Sequence, residues 1–240
     1  MLFRSRLSKR HGATAVGDYA LQGILPEAML NFLTLLGWNP GDEREFMRAE
    51  ELVEAFAVER ILKASSVFDT EKLEWLNGKH LMARPTGELL DEIRSRLEAS
   101  GPEDLSCLDD AEWVDHLMAV IKVRARTLDD LAEQARPFVA RDVVYEEAAV
   151  AKHWLKDPDA AAERLERLSE AFQGVEWSHE GLESALRGLA SQMEMGAGKL
   201  IHPLRVALTG NMASPGIFDV LVLLGRERSG GRIQIGRAHV

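Results

Sequence analysis

The chain has 240 residues, of which 46% are apolar and 28% charged. That is enough for a sizeable core and excludes general disorder. Its 39 acids and 29 bases give a net charge of −10, and Cys107 is the only cysteine. A disulfide framework and a multi-cysteine zinc site are excluded, and a reducing cytoplasm is the expected setting. No run of about 18 apolar residues exists, so no membrane partner is expected. The charge is uneven. Arg4, Arg6, Lys9 and Arg10 put +4 on the first ten residues. Residues 196–240 carry +4 as well, which leaves −18 on the middle. An acidic body with basic ends still binds a polyanion locally, because charges are screened beyond ~10 Å. Ordinary scatter of terminal charge accounts for the same pattern.

The periodicity is helical almost throughout. Pro26 suits a first helical turn, Ala28, Met29, Phe32, Leu33 and Leu36 follow on one face, and Gly37 stops the helix. A second helix is predicted from Ala49 to Ala57, with Leu52, Val53 and Phe56 inward. Asp69 or Thr70 caps a third, which presents Leu73 and Leu76 and ends near Gly78. Ala83 to Gly87 is the candidate linker. Thr86 to Ala99 is amphipathic through Leu89, Leu90, Ile93 and Leu97. Trp113, Leu117, Val120 and Ile121 line a helix that closes on the basic turn Lys122 to Arg126. Thr127 caps a short helix that Pro137 follows. Asp157-Pro158 reads as cap and first-turn proline ahead of Leu165, Leu168 and Phe172. Trp177 ahead of Ser178 is placed to staple onto Leu182. Ser214-Pro215 opens the last clear helix, with Phe218, Leu221 and Leu224 inward and Gly225 at its end. The fold class is all-α, in two helical units. Phe32, Leu36, Trp113, Leu117, Phe172 and Phe218 are expected in their cores. The five tryptophans read as core residues.

Chemistry-bearing motifs are scarce. The seven histidines show no metal-ligand spacing, so no metal site is expected. No GxSxG or phosphate-binding glycine loop appears. One run stands out, Arg6-Leu7-Ser8-Lys9-Arg10-His11-Gly12-Ala13. A mobile ammonium beside a hydroxyl suits charge developing on a triphosphate, although a plain basic tail is the simpler reading.

RLSKRHGA closely resembles the KLSKRHGA form of the KMSKS loop of class I glutamyl-tRNA synthetases. GDYALQGILPEAMLNFLTLLGW (17–38), FDTEKLEWLNGKHL (68–81) and HPLRVALTGNMASPGIFDVLVLLGRER (202–228) resemble that family's successive segments. The resemblance runs in order over residues 6–233. It implies a KMSKS loop and stem-contact domain over 6–85 and an anticodon-binding region in two helical parts, 86–136 and 137–233. An all-helical anticodon region is the family's bacterial form. The class I nucleotide-binding fold and its HIGH-type motif have no counterpart in the sequence. Residues 1–5 and 235–240 resemble the two translated ends of a sequencing adapter, with a GTG codon read as Met1. They are expected to be non-native, and the chain a truncated reading frame. Residues 1–10 and 229–240 are therefore expected to pack poorly.

By the resemblance, Arg6, Leu7, Ser8, Lys9 and Arg10 form the ATP-binding loop, with Lys9 on the phosphates. Arg6 stands where the family has lysine. Arg124 corresponds to the arginine that reads the third anticodon base, in keeping with tRNA(Glu) over the glutamine tRNA. A surface arginine ending a helix is the alternative. Arg205, Ser214, Pro215 and Ile217 correspond to the turn and helix start that contact the first two bases. For Ser214, a plain helix cap is the alternative. Lys72, Trp75 and Lys79 correspond to a stem-contact segment, while Trp75 also reads as core. The expected function is tRNA(Glu) recognition without catalysis. In the complete enzyme, glutamate is activated with ATP and Mg²⁺ and then esterified to tRNA. A monomer is expected. The alternative is a free-standing helical tRNA-binding or protein-interaction module.

Overall fold

The computed structural model describes residues 15–62, 67–99 and 104–239. Among these the chain is helical, and its one β feature is an isolated bridge between Trp38 and Ile61. Two compact units form, Met1–Ala99 with Ile121–Glu133 and Ser100–Val120 with Gln134–Val240. The segment 86–136 is therefore shared between the two.

The first unit holds α1 (Val16–Leu21), α2 (Pro26–Gly37), α3 (Ala49–Ala55), α4 (Thr70–Ala83) and α5 (Thr86–Ala99). Proline opens α2 and Asp69 caps α4 by accepting from Lys72 N, as expected. Phe32, Leu73 and Leu76 are buried with Ile24 and Met29, and Leu36 and Trp75 pack partly buried against them. Leu33, Val53 and Phe56 are exposed, contrary to the expectation. α3 ends at Ala55, two residues early, so Phe56 leaves the helical face and stacks on Trp38 instead. α4 does not stop at Gly78. It runs on to Ala83, with Gly78 buried where a Cβ would lie 3.0 Å from the Ala125 carbonyl oxygen. The glycine serves close approach rather than termination. Nor is Ala83 to Gly87 a loose linker. Only Arg84 and Pro85 separate α4 from α5, and Arg84 lies between Glu27 (3.5 Å) and Glu88 (3.2 Å).

Two buried asparagines tie this unit together. Asn31 Oδ1 accepts from Met47 N and His80 Nε2, and its amide donates to the Glu45 carbonyl. Asn77 accepts from Leu25 N and donates to the Gly23 and Arg126 carbonyls. Burial holds His80 below the usual histidine range, with Glu27 opposing.

α6 (Ala111–Ile121) and α7 (Leu128–Val139) each run across the division along the chain. Pro137 lies inside α7, not after it. The second unit continues with α8 (Glu147–His153), α9 (Pro158–Ala171), α10 (His179–Gln192), α11 (Gly198–Thr209) and α12 (Ile217–His239). Asp157 and Ser178 cap α9 and α10 as their sequences predict. Leu117 and Phe172 are buried, whereas Trp113 and Phe218 are only partly so. Indole N–H groups explain the tryptophan placements. Trp113 donates to Leu223 O, Trp154 to Pro203 O and Trp177 to Leu221 O. Each ring buries its apolar body while its N–H meets a carbonyl.

The end of the chain departs most from expectation. Gly225 (φ 74°) breaks α12, but a second helical stretch follows it to His239. Ser229, Arg232, Ile233 and Gly236 on that stretch are buried, so one face of it packs as far as Gly236, while 237–239 are exposed. Arg232 explains much of this. Its Nη1 donates to the Pro137 and Leu208 carbonyls, both at 2.6 Å, and its Nη2 to the Ala140 carbonyl at 2.7 Å. These carbonyls lie at the C-terminal ends of α7 and α11, where helices leave acceptors unsatisfied. Residues 1–10, the other segment expected to pack poorly, lie outside the described residues.

Candidate RNA interface

Arg124 stands on the turn that follows α6, in the first unit. The turn is anchored on several sides. Lys122, nearly buried, donates through Nζ to the Arg84 carbonyl at 2.6 Å. Ala125 is buried beside Gly78, and Asn77 donates to the Arg126 carbonyl at 2.6 Å. Thr127 and Asp130 form a reciprocal cap. Asp130 Oδ2 accepts from Thr127 N at 3.0 Å and from Arg126 N at 2.8 Å, while Thr127 Oγ1 accepts from Asp130 N at 3.0 Å. Arg124 N bonds the Ile121 carbonyl, and the residue is exposed. The result is a guanidinium on a fixed backbone.

In the second unit, Arg205 projects from α11 and Ser214 from the loop after it. α11 ends at Gly210 (φ 78°), where a Cβ would collide with the Val144 carbonyl. Glu146 fastens the loop, since Glu146 N donates to Gly210 O and its carboxylate accepts from Met212 N. Arg205 Nε donates to Ser214 Oγ at 2.9 Å, and that hydroxyl donates to the Pro215 carbonyl at 3.0 Å. Ser214 is therefore not the cap of α12. The helix starts at Ile217, its first turn closes on the Gly216 carbonyl, and the serine braces the arginine. Pro215 and Ile217 are buried, so they shape the loop and present backbone rather than side chains.

The remaining expected residues are placed as follows. Lys72 pairs with Glu45 at 2.6 Å. Trp75 is half-buried against the α2–α4 core, and Lys79 Nζ lies 5.6 Å from its ring centroid. Arg6, Leu7, Ser8, Lys9 and Arg10 lie outside the described residues. Among the described residues no group of three or more His, Cys, Asp or Glu side chains is arranged to hold a metal. No helix among them is long and apolar enough to cross a membrane. Glu146 and Arg232 escaped the sequence reading. Neither belongs to a spacing pattern, because each acts on carbonyls or amides far along the chain.

Residues 88–237 match the family described as anticodon binding domain. Residues 2–75 match the catalytic domain of class I tRNA synthetases (E and Q). A glutamate–tRNA ligase from Desulforudis audaxviator is 37% identical over 229 residues, covering 93% of this chain and 45% of the relative. Glutamate–tRNA ligase 1 of Erythrobacter litoralis is 42% identical over 232 residues, with 95% and 45% covered. Among solved structures, a glutamate tRNA ligase from Elizabethkingia meningosepticum in complex with its amino acid superposes with a TM-score of 0.81 at 26% identity. That match covers 98% of this chain and 48% of the other. The chain thus spans about half the length of the relatives it matches, and corresponds to a C-terminal part of them. With its anticodon-binding domain matched over more than half its length, the chain belongs to the glutamyl-tRNA synthetase family.

Proposed function

We propose that this chain is the tRNA-recognising part of a glutamate–tRNA ligase, with tRNA(Glu) as its partner. The observation that carries the reading is the Arg205–Ser214 brace on a fixed loop within the matched anticodon-binding domain. A braced guanidinium fork suits the acceptor edge of an unstacked loop base. Arg124 reads the third anticodon base, and Arg205 with the 214–217 loop contacts the first two. Lys72, Trp75 and Lys79 lie against the tRNA stem. The three-part layout 6–85, 86–136 and 137–233 belongs to the same reading.

In the complete enzyme, which works in the cytoplasm, Arg6, Leu7, Ser8, Lys9 and Arg10 line the ATP site. Mg²⁺ supports ATP there, and none of the described residues is assigned to it. This chain alone binds tRNA as a monomer without aminoacylating it. Arg124→Gln is expected to lose about 1–3 kcal/mol of discrimination at the third anticodon base while keeping most backbone affinity. Filter binding of tRNA(Glu) and a third-base variant at matched salt measures this. Equal weakening for both tRNAs demotes Arg124 to a phosphate contact, and no weakening makes it an ordinary surface arginine.

A further inference from the structure

The second unit also holds an open cleft of about 640 Å³, formed by the end of α8, the start of α9 and the start of α11. Lys152 and Lys156 line it from the α8 end, Arg164 from α9 and Lys199 from α11. His153 and His202 complete it, their rings 4.9 Å apart at the centroids and 13° from parallel. Among the described residues none of those four cations is in an ion pair. Asp157 is the one carboxylate on the lining, and its oxygen is engaged with Ala160 N at the start of α9. The first turn of α11, the positive end of its dipole, lines the same space through Gly198 and Lys199. Four like charges on one concave wall repel one another, in a chain whose net charge is −10. Such a surface is stabilised by a counter-anion.

We propose that this cleft is an anion site for a phosphate-class ligand, a phosphodiester of an RNA strand or a free polyphosphate, and that His153, stacked on the His202 ring in its wall, makes its affinity rise as pH falls. The site does not depend on the roles proposed for Arg124 and Arg205. The charged groups around the pair are Lys152 on α8, Lys156 and Asp157 after it, Arg164 on α9, and Lys199 and Arg205 on α11. Burial holds His153 below the usual histidine range, and the charges of His202, Lys152 and Arg205 push the same way. A bound anion reverses the charge contribution. Binding therefore takes up a proton, and affinity climbs as pH drops through the histidine range.

The test is calorimetric titration of the full chain with sodium tripolyphosphate and, separately, a short RNA hairpin, at about pH 6 and about pH 7.5 in one fixed salt. Lys199→Glu is expected to weaken binding about tenfold. Arg167→Glu makes the same charge change on an exposed part of α9 outside the cleft, and should stay within about twofold. His153→Gln should keep the affinity seen at the higher pH and lose the gain at the lower. Loss confined to the hairpin assigns the site to a backbone phosphate, and loss confined to tripolyphosphate assigns it to a free one. Equal losses in Lys199→Glu and Arg167→Glu overturn the site, since net charge then explains everything. So does the absence of saturable binding to both probes. A pH dependence that survives His153→Gln overturns the role of that histidine. Lys199→Glu weakening both tRNAs while Arg124→Gln changes nothing separates this site from the anticodon reading.

Discussion

Replacing Arg232 by methionine tests what holds the end of the chain in place. Arg232 is 3% exposed, and its guanidinium donates to three carbonyls, at Pro137, Leu208 and Ala140. Burial, helped by Arg228, lowers its pKa to about 10, so it remains charged at neutral pH. Methionine fills a similar volume without donors. Each stranded carbonyl costs about 1–3 kcal/mol, so three total several kcal/mol. Against this, the desolvation of a buried charge, also several kcal/mol, is no longer required. Because the stranded partners are neutral carbonyls and no buried charge is left behind, a net loss of about 1–3 kcal/mol is expected. Urea unfolding followed by tryptophan fluorescence measures it, with Trp154 and Trp177 reporting on the second unit. Leu208 lies two residues before Gly210, so slackening there also loosens the loop that carries Ser214, and tRNA affinity should fall with stability. A variant no less stable than the parent would refute the reasoning. It would mean that water or relaxation satisfies the three carbonyls equally well.

Two further outcomes follow from the same structure. Gly210→Ala must place a Cβ at φ 78° and into the Val144 carbonyl, so a loss of at least ~2 kcal/mol is expected in the same urea assay. Burial depresses the pKa of His80, so its neutral form is favoured in the folded state. Its contribution to stability is present above the unfolded value near 6.5 and is lost as pH falls towards the lower folded value. Thermal melts across that window should show a fall that His80→Phe removes.

Helix positions were legible where local chemistry decides them. Pro26, Asp69, Asp157 and Ser178 start helices because a missing N–H or an acceptor side chain acts within one turn. Stops were less legible. Gly37 ends a helix, but Gly78 sits inside one because the 125–126 turn presses on it. That pressure comes from a residue about fifty positions away, which no local pattern reveals. The helix after Gly225 was missed for a related reason. Residues 226–239 have few large apolar side chains, and their burial depends on Arg232 reaching three distant carbonyls. The cationic cleft was invisible too. Its lysines and histidines are scattered over 152–202 without motif spacing and converge only once α8, α9 and α11 pack.

The two arginines proposed to read bases share one physical design despite their different settings. Arg124 owes its position to backbone: a nearly buried lysine, an asparagine amide and an aspartate fix the turn beneath it. Arg205 owes its position to a side chain, through the Ser214 hydroxyl. In both cases freedom is removed before any ligand arrives, which lowers the entropy lost on binding. This matters more here than in a basic RNA-binding protein. A chain of net charge −10 gains no long-range attraction to a polyanion, and charges more than ~10 Å apart are screened. Affinity must then come from a few short contacts made by groups already in place. Such contacts favour discrimination among bases over general adhesion, because phosphate attraction is the same for every sequence. An acidic body carrying a small number of fixed guanidinium groups is therefore suited to selecting one RNA among many of equal charge.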